Sequence, residues 1–427
     1  MRILLQIPHW QGFLDLYLPE HANYEKSSKL LLGSIIIPAM VPKDVYFCPC
    51  KLMVKKAILL LIFLCWYRMG FNQIPSLDLL VGTYTNAVPD TGVFLFSFDT
   101  VSGNLVKKAW ANQLVNPSFL TVHASSKVVY ACTDTKLPSK GSLTGLELPK
   151  GTNQFIVLGK QGSEGENPVF VSSAEQWVFV ANYNEGNIAA MEIRSDFTLN
   201  SCSQKIQLQG KSVHPKRQEK AHPHAIYFSR NNKYALVPDL GSDLIRVFEV
   251  NFHSSQPLKE RSDLNHISPS GSGPRHMVFH PNGKWLYGIE ELSGTVTFFS
   301  FKRGRLKPIQ RLSTYSSILN EYSGADIHCT PDGKFLYCSN RIENSLAIFK
   351  IDTRRGDLSL VGHQKTNGEV PRNFTIHPSG KFLIVANQGS NSLVVFKLNP
   401  QTGKLIQVAE PMYVTRPSCL DWMSVGE

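Results

Sequence analysis

The motifs that announce the common enzyme classes are missing from this 427-residue chain. There is no G-x-x-x-x-G-K-[ST] phosphate loop, no H-E-x-x-H zinc helix and no G-x-S-x-G nucleophile elbow, which excludes those three chemistries. No cofactor and no metal ion are expected. Runs of one charge are also absent: the net charge is +11, but Lys and Arg are scattered singly along the chain with no block of five or six. Nucleic acid is therefore not expected as a partner. Cysteine is sparse. Of eight, Cys48, Cys50 and Cys65 lie near the N-terminus, leaving Cys132, Cys202, Cys329, Cys338 and Cys419, an odd number without zinc-ligand spacing. Cys329 and Cys338 flank the turn PDGK on one sheet face at a diagonal and are expected to be small thiols rather than a disulfide.

Long apolar runs are nearly absent too. The exception, Ala57 to Tyr67, follows Lys55 and Lys56 and has the length of a signal-peptide core, too short for a comfortable membrane span. Met53 stands just before that basic pair, so translation starting there would make residues 1–52 an upstream extension. The expectation is an N-terminal extension over 1–73, carrying a signal peptide or anchor, and one folded domain over 74–427. A periplasmic or secreted location follows if the run is a signal, a cytoplasmic one if it is not. No A-x-A cleavage pattern follows the run, and no stable membrane span is expected in the mature protein.

What the chain does have is a repeat marked by its turns: HPNGK at 280–284, TPDGK at 330–334 and HPSGK at 377–381, spaced 50 and 47 residues apart. Around each stand a proline or glycine, an apolar strand, the turn, a second strand such as KFLYCSN, a polar loop and an alternating strand such as SLAIFKI. Weaker copies begin at Asn116, Asn167 and His222. A seventh starts at Arg416 and stops after one strand, RPSCLDWM, while the folded region opens at LDLLVGTYT with strands that lack an inner partner. Four strands per unit and complementary fragments at the two ends predict an all-β, seven-bladed β-propeller whose closing blade is shared between the termini.

In such a fold the first strand of each blade lines the channel and the second returns beside it, so first-strand starts and second-strand ends share one rim. Aligning the turns places Arg275, His276, Glu290, Glu291, Arg341 and Arg372 there, with His222 and His224 at a loop–strand junction. Asn182, Asp239, Asn340 and Asn387 also close second strands and are expected to cap turns. Several arginines around one mouth repel each other unless something anionic binds there.

The segments LLVGTYTN, HPHAI, GSGPRHMVFHPNGKWLYGIEELSGTV, PDGKFLYCSNRIENSLAIF and PRNFTIHPSGKFLIVANQ resemble the seven-bladed β-propeller lactonase family of the bacterial 6-phosphogluconolactonase type, over roughly residues 77–423. That family is in turn similar to the 3-carboxy-cis,cis-muconate lactonising enzyme, which uses His, Arg and Glu at a channel mouth. The resemblance implies a carboxylic ester hydrolase acting on a sugar lactone, with His224, Arg275, Glu291 and Arg341 at the site and His276 and Arg372 close by. The N-terminal 75 residues depart from the family pattern.

Lactone hydrolysis needs an activated water, positive charge for the oxyanion and a hold on the rest of the substrate. Glu291 is the expected general base and His224 its competitor: a carboxylate among arginines stays ionised but weakly basic, whereas a histidine titrates near neutral pH. Arg275 would stabilise the oxyanion. His276, Arg341 and Arg372 would bind a small anionic lactone, the arginines through their forked donors. A muconate-type cycloisomerase and a non-catalytic binding propeller are the alternatives; a binding platform should display aromatic hot spots where this rim displays ionisable groups.

Overall fold

Each P-x-G-K turn closes because its glycine takes a left-handed backbone that a side chain would strain: Gly283, Gly333 and Gly380 have φ of 67°, 72° and 70°. The residue before the proline completes the turn. Thr330 Oγ1, for instance, accepts from the amides of Lys334 and Phe335, both at 3.1 Å. Hairpins closed in this way build a propeller in the computed structural model of the chain. It describes residues 77–424 apart from 87–89 and 136; within 1–76 it describes only the backbone of short strands between Arg2 and Pro42. The chain divides into two compact units, Met1–Gln73 and Ile74–Glu427. The apolar run at 57–67 and the three N-terminal cysteines lie outside the described residues.

Seven antiparallel sheets make up the second unit. Blade 1 is the closing blade, in which Pro417–Ser424 is the inner strand and Leu77–Thr83, Val93–Phe98 and Leu105–Ala111 follow outward. Its register runs from Pro417 opposite Thr83 to Ser424 opposite Leu77, so the two ends of the domain are hydrogen-bonded into one sheet with no open edge at the join. Blades 2 and 3 begin with Phe119–Val122 and Pro168–Ala174, and blades 5, 6 and 7 with Pro274–Phe279, Gly324–Cys329 and Pro371–Ile376. In blade 4 the inner strand shrinks to Tyr227–Phe228. The HPHA stretch before it is held by a bridge from Pro223 to Asp239 and by the His224 amide donating to the Pro238 carbonyl at 2.9 Å.

Both faces of most blades are buried because each packs against two neighbours, which explains strands as apolar as Trp177–Asn182 and Phe382–Asn387. Between blades 5 and 6, Tyr287, Ile289, Val296 and Phe298 meet Leu336, Cys338, Ala347 and Phe349. A full aromatic burial of this kind is worth about 1.5–3 kcal/mol. A tyrosine in the second strand also ties its blade to the next: Tyr287 donates to the Gly356 carbonyl at 2.9 Å and Tyr337 to that of Gly403 at 2.7 Å. All five described cysteines are free. Cys338 pairs in register with Ile327 and Cys329 with Leu336, so no disulfide bridges the hairpin.

Candidate active site

The rim is built by a device that recurs from blade to blade. The inner strand starts opposite the end of the second strand, as in Pro274 opposite Glu290, Gly324 opposite Asn340 and Pro371 opposite Asn387. Directly after each of these pairs the register slips. A bulge re-aims the residues it contains. In blades 5 and 7 the bulged residues are Arg275 and Arg372.

Glu291 occupies the centre. Its Oε1 accepts from Arg217 Nη2 at 2.6 Å, and its Oε2 faces Arg275 Nε at 3.0 Å and Arg341 Nη2 at 2.9 Å. Burial alone would raise its pKa, but Arg341, Arg217 and Arg275 together hold it well below the usual carboxylate range. Arg275 is buried, and its Nη1 donates to the Ala325 carbonyl while standing 3.4 Å from His276 Nε2. His276 is buried as well, with Nδ1 on Asp326 Oδ1 at 2.8 Å. His224 stands beside it, ring centroids 5.2 Å apart, and its buried Nδ1 has no hydrogen-bond partner among the described residues. Burial first, then the charge of Arg275, lowers the His224 pKa well below the ordinary value, so the ring is neutral at pH 7. Arg372 donates to the Tyr84 hydroxyl at 3.2 Å with its guanidinium 5.4 Å from that ring's centre, and its charge reaches both His224 and Arg275.

His224, Arg275, His276, Glu291 and Arg341 are thus one contiguous group with Arg372 at its margin. Arg217 was not foreseen. It lies in the loop before blade 4, outside the repeat alignment, and also donates to the Tyr183 hydroxyl at 3.1 Å; the basic stretch HPKRQEK was the only trace of it in sequence. Glu290 does not join the group: its carboxylate pairs with Arg311 Nε at 2.7 Å. His222 is consumed structurally, with Nδ1 on the Tyr183 carbonyl at 2.8 Å and its ring stacked on Tyr183. Asp239 receives the His222 amide at 2.7 Å and the Arg246 guanidinium at 2.9 Å, and Asn182 donates to the Ser163 carbonyl at 2.7 Å, both tying strands rather than facing a ligand. Among the described residues, no group of three or more His, Cys, Asp or Glu side chains is placed to hold a metal ion.

Three guanidinium groups on the Glu291 carboxylate, with Arg372 at the margin, leave an excess of positive charge, partly exposed through Arg217 and Arg341. Such a mouth attracts an anionic ligand and can stabilise an oxyanion next to a neutral imidazole. Fold and site together define a seven-bladed propeller with a cationic channel mouth. The family described as "Lactonase, 7-bladed beta-propeller" matches residues 78–422, and the chain belongs to that family. It is 36% identical to a 6-phosphogluconolactonase of Formosa agariphila, over 70% of this chain and 86% of the relative. To the 6-phosphogluconolactonase of Bacillus subtilis it is 30% identical over 69% and 83%. Among solved structures, the periplasmic gluconolactonase of Pseudomonas aeruginosa superposes with a TM-score of 0.77 at 30% identity, covering 82% of this chain and 99% of that one. Neither the cycloisomerase nor the binding-module alternative is favoured by these relationships.

Proposed function

We propose that the protein hydrolyses a sugar lactone to its aldonic acid at the channel mouth, with His224 as general base. The observation that carries this reading is a buried, neutral imidazole whose Nδ1 has no partner among the described residues, close to Arg275, which is itself paired with a carboxylate held by three arginines. His224 takes a proton from water as the oxygen attacks the lactone carbonyl. Arg275 faces the oxyanion, and the ring C–O bond then breaks as the alkoxide recovers the proton from His224. Glu291, expected from sequence as the base, is too firmly tied to its arginines to compete for a proton; in this reading it orders them. Arg341 and Arg372, with Arg217, hold the anionic end of the substrate. His276, with both ring nitrogens engaged by protein groups, supports the site from behind.

The reading places residues 1–73 outside the catalytic domain and takes the apolar run at 57–67 as an export signal, in keeping with a relative named periplasmic. Mass spectrometry of the protein from its native host tests this; an intact N-terminus at Met1 in the cytoplasm refutes it. The activity is tested by proton release from a lactone panel that includes 6-phosphogluconolactone and unphosphorylated gluconolactone, with spontaneous hydrolysis subtracted. No acceleration on any member of the panel overturns the proposal.

A further inference from the structure

We propose that Asp326 is a positioning residue that locks His276 as its Nδ1–H tautomer, so that Nε2 remains an acceptor for Arg275 and keeps that guanidinium aimed at the reacting carbonyl. This rests on the reading above, in which Arg275 faces the oxyanion. Three inner strands meet in the arrangement. Asp326, in blade 6, places Oδ1 on His276 Nδ1 of blade 5 at 2.8 Å. Its Oδ2 accepts from Asn373 Nδ2 and the Phe374 amide of blade 7 at 2.5 and 3.2 Å, and stands 3.0 Å from His328 Nε2. Burial alone would raise the Asp326 pKa, but the His328 and His276 rings hold it well below the usual carboxylate range.

An ionised carboxylate can only accept, so the hydrogen between it and His276 sits on Nδ1. Nε2 then carries a lone pair, and the group facing it at 3.4 Å is Arg275 Nη1, a donor. The other tautomer would set an N–H against a guanidinium N–H and turn Arg275 away from its contacts with Ala325 and Glu291. Among the described residues, the other rings around the imidazole are those of Phe119, Phe170, Tyr227 and His224, at 6.1, 5.7, 6.4 and 5.2 Å, and none of them hydrogen-bonds either ring nitrogen.

Asp326→Asn makes the role visible. Two obligate donors, Asn373 Nδ2 and the Phe374 amide, converge on the Oδ2 position, so the new carbonyl must face them and the new NH2 must face His276. His276 then has to accept at Nδ1 and carry its hydrogen on Nε2. The expected result is a drop in kcat of about 10²-fold with KM changed less than about threefold, as when an oxyanion donor is misaimed. Nitrogen-15 NMR of histidine-labelled protein, with His276 assigned by the loss of its signals in His276→Gln, should show the hydrogen on Nδ1 in the wild type and on Nε2 in Asp326→Asn. In a His276→Gln background the Asp326→Asn change should have little further effect on kcat, because the two act through one contact.

A wild-type His276 protonated on Nε2 overturns the proposal, and that measurement does not depend on the Asp326→Asn variant folding. A swapped tautomer with full kcat overturns it as well, as does a lost kcat with an unchanged tautomer. If the wild type hydrolyses no lactone, the functional reading fails instead, and the NMR result shows separately whether Asp326 sets the ring.

Discussion

Blades 2 and 3 and blades 4 to 7 share one backbone plan but present opposite rims. At the bulged position after the opening proline, blade 3 carries Val169 where blades 5 and 7 carry Arg275 and Arg372, and the next residues are Phe119 and Phe170 in blades 2 and 3 against His276 and Asn373. The two phenylalanine rings have centroids 4.4 Å apart and stand at 85° and 75° to the His276 ring. Burial against the apolar half, together with the Arg275 charge, lowers the His276 pKa; the charged half supplies the field into which a lactone carbonyl would fit. Equivalent bulges thus carry Arg275 and Arg372, while His224 precedes the shortened inner strand of blade 4 and Arg217 comes from a loop outside the repeat.

The largest expected break in that asymmetry is Glu291→Gln. The amide turns an NH2 toward guanidinium groups and leaves buried Arg275 short of its counter-charge, a change that costs about 3–5 kcal/mol of stability. Calorimetry should show a lower melting midpoint, and kcat/KM should fall at least about 10²-fold. Loss of activity with an unchanged midpoint would instead return the base role to Glu291.

His224→Gln removes the proposed base and should lower kcat by about 10²–10⁴-fold while the protein remains folded. The pH profile bears on the same residue. The base works only when unprotonated, and burial lowers its pKa well below 6.5, so the acid limb of kcat/KM should lie below pH 6.5. An acid limb at or above pH 6.5 would assign the proton to a different group.

Arg341→Ala is a smaller effect with a direction. It removes a donor from the substrate's side of the mouth, so KM should rise more for a phosphorylated lactone than for a neutral one. Equal effects on both substrates would mean that Arg341 serves only to hold Glu291.

The smallest effect belongs to the apolar half. Ser118, the blade 2 counterpart of Arg275, has a buried hydroxyl with no partner among the described residues, so Ser118→Ala should leave kcat/KM within about twofold and the melting midpoint unchanged or slightly raised. A large loss there would erase the distinction between the two halves.

Local pattern was enough to read seven blades, the strand shared by the two ends and the rim positions from the sequence. Turn glycines, opening prolines and alternating strands act over a few residues, and the register that places Pro274 opposite Glu290 follows from a turn between them. Pairing across the rim was another matter. Nothing near Glu290 or Glu291 says that one carboxylate goes to Arg311 and the other to three arginines, one of them 74 residues away in a loop outside the repeat. Strict alternation would also point Arg275 and His276 to opposite faces. The bulge between Pro274 and His276 brings both to one site, and Asp326, 50 residues on, receives the imidazole. Backbone period is set by neighbours in the chain, whereas side-chain direction at a bulge and the choice of charge partner are set by atoms that only the closed ring of blades brings together.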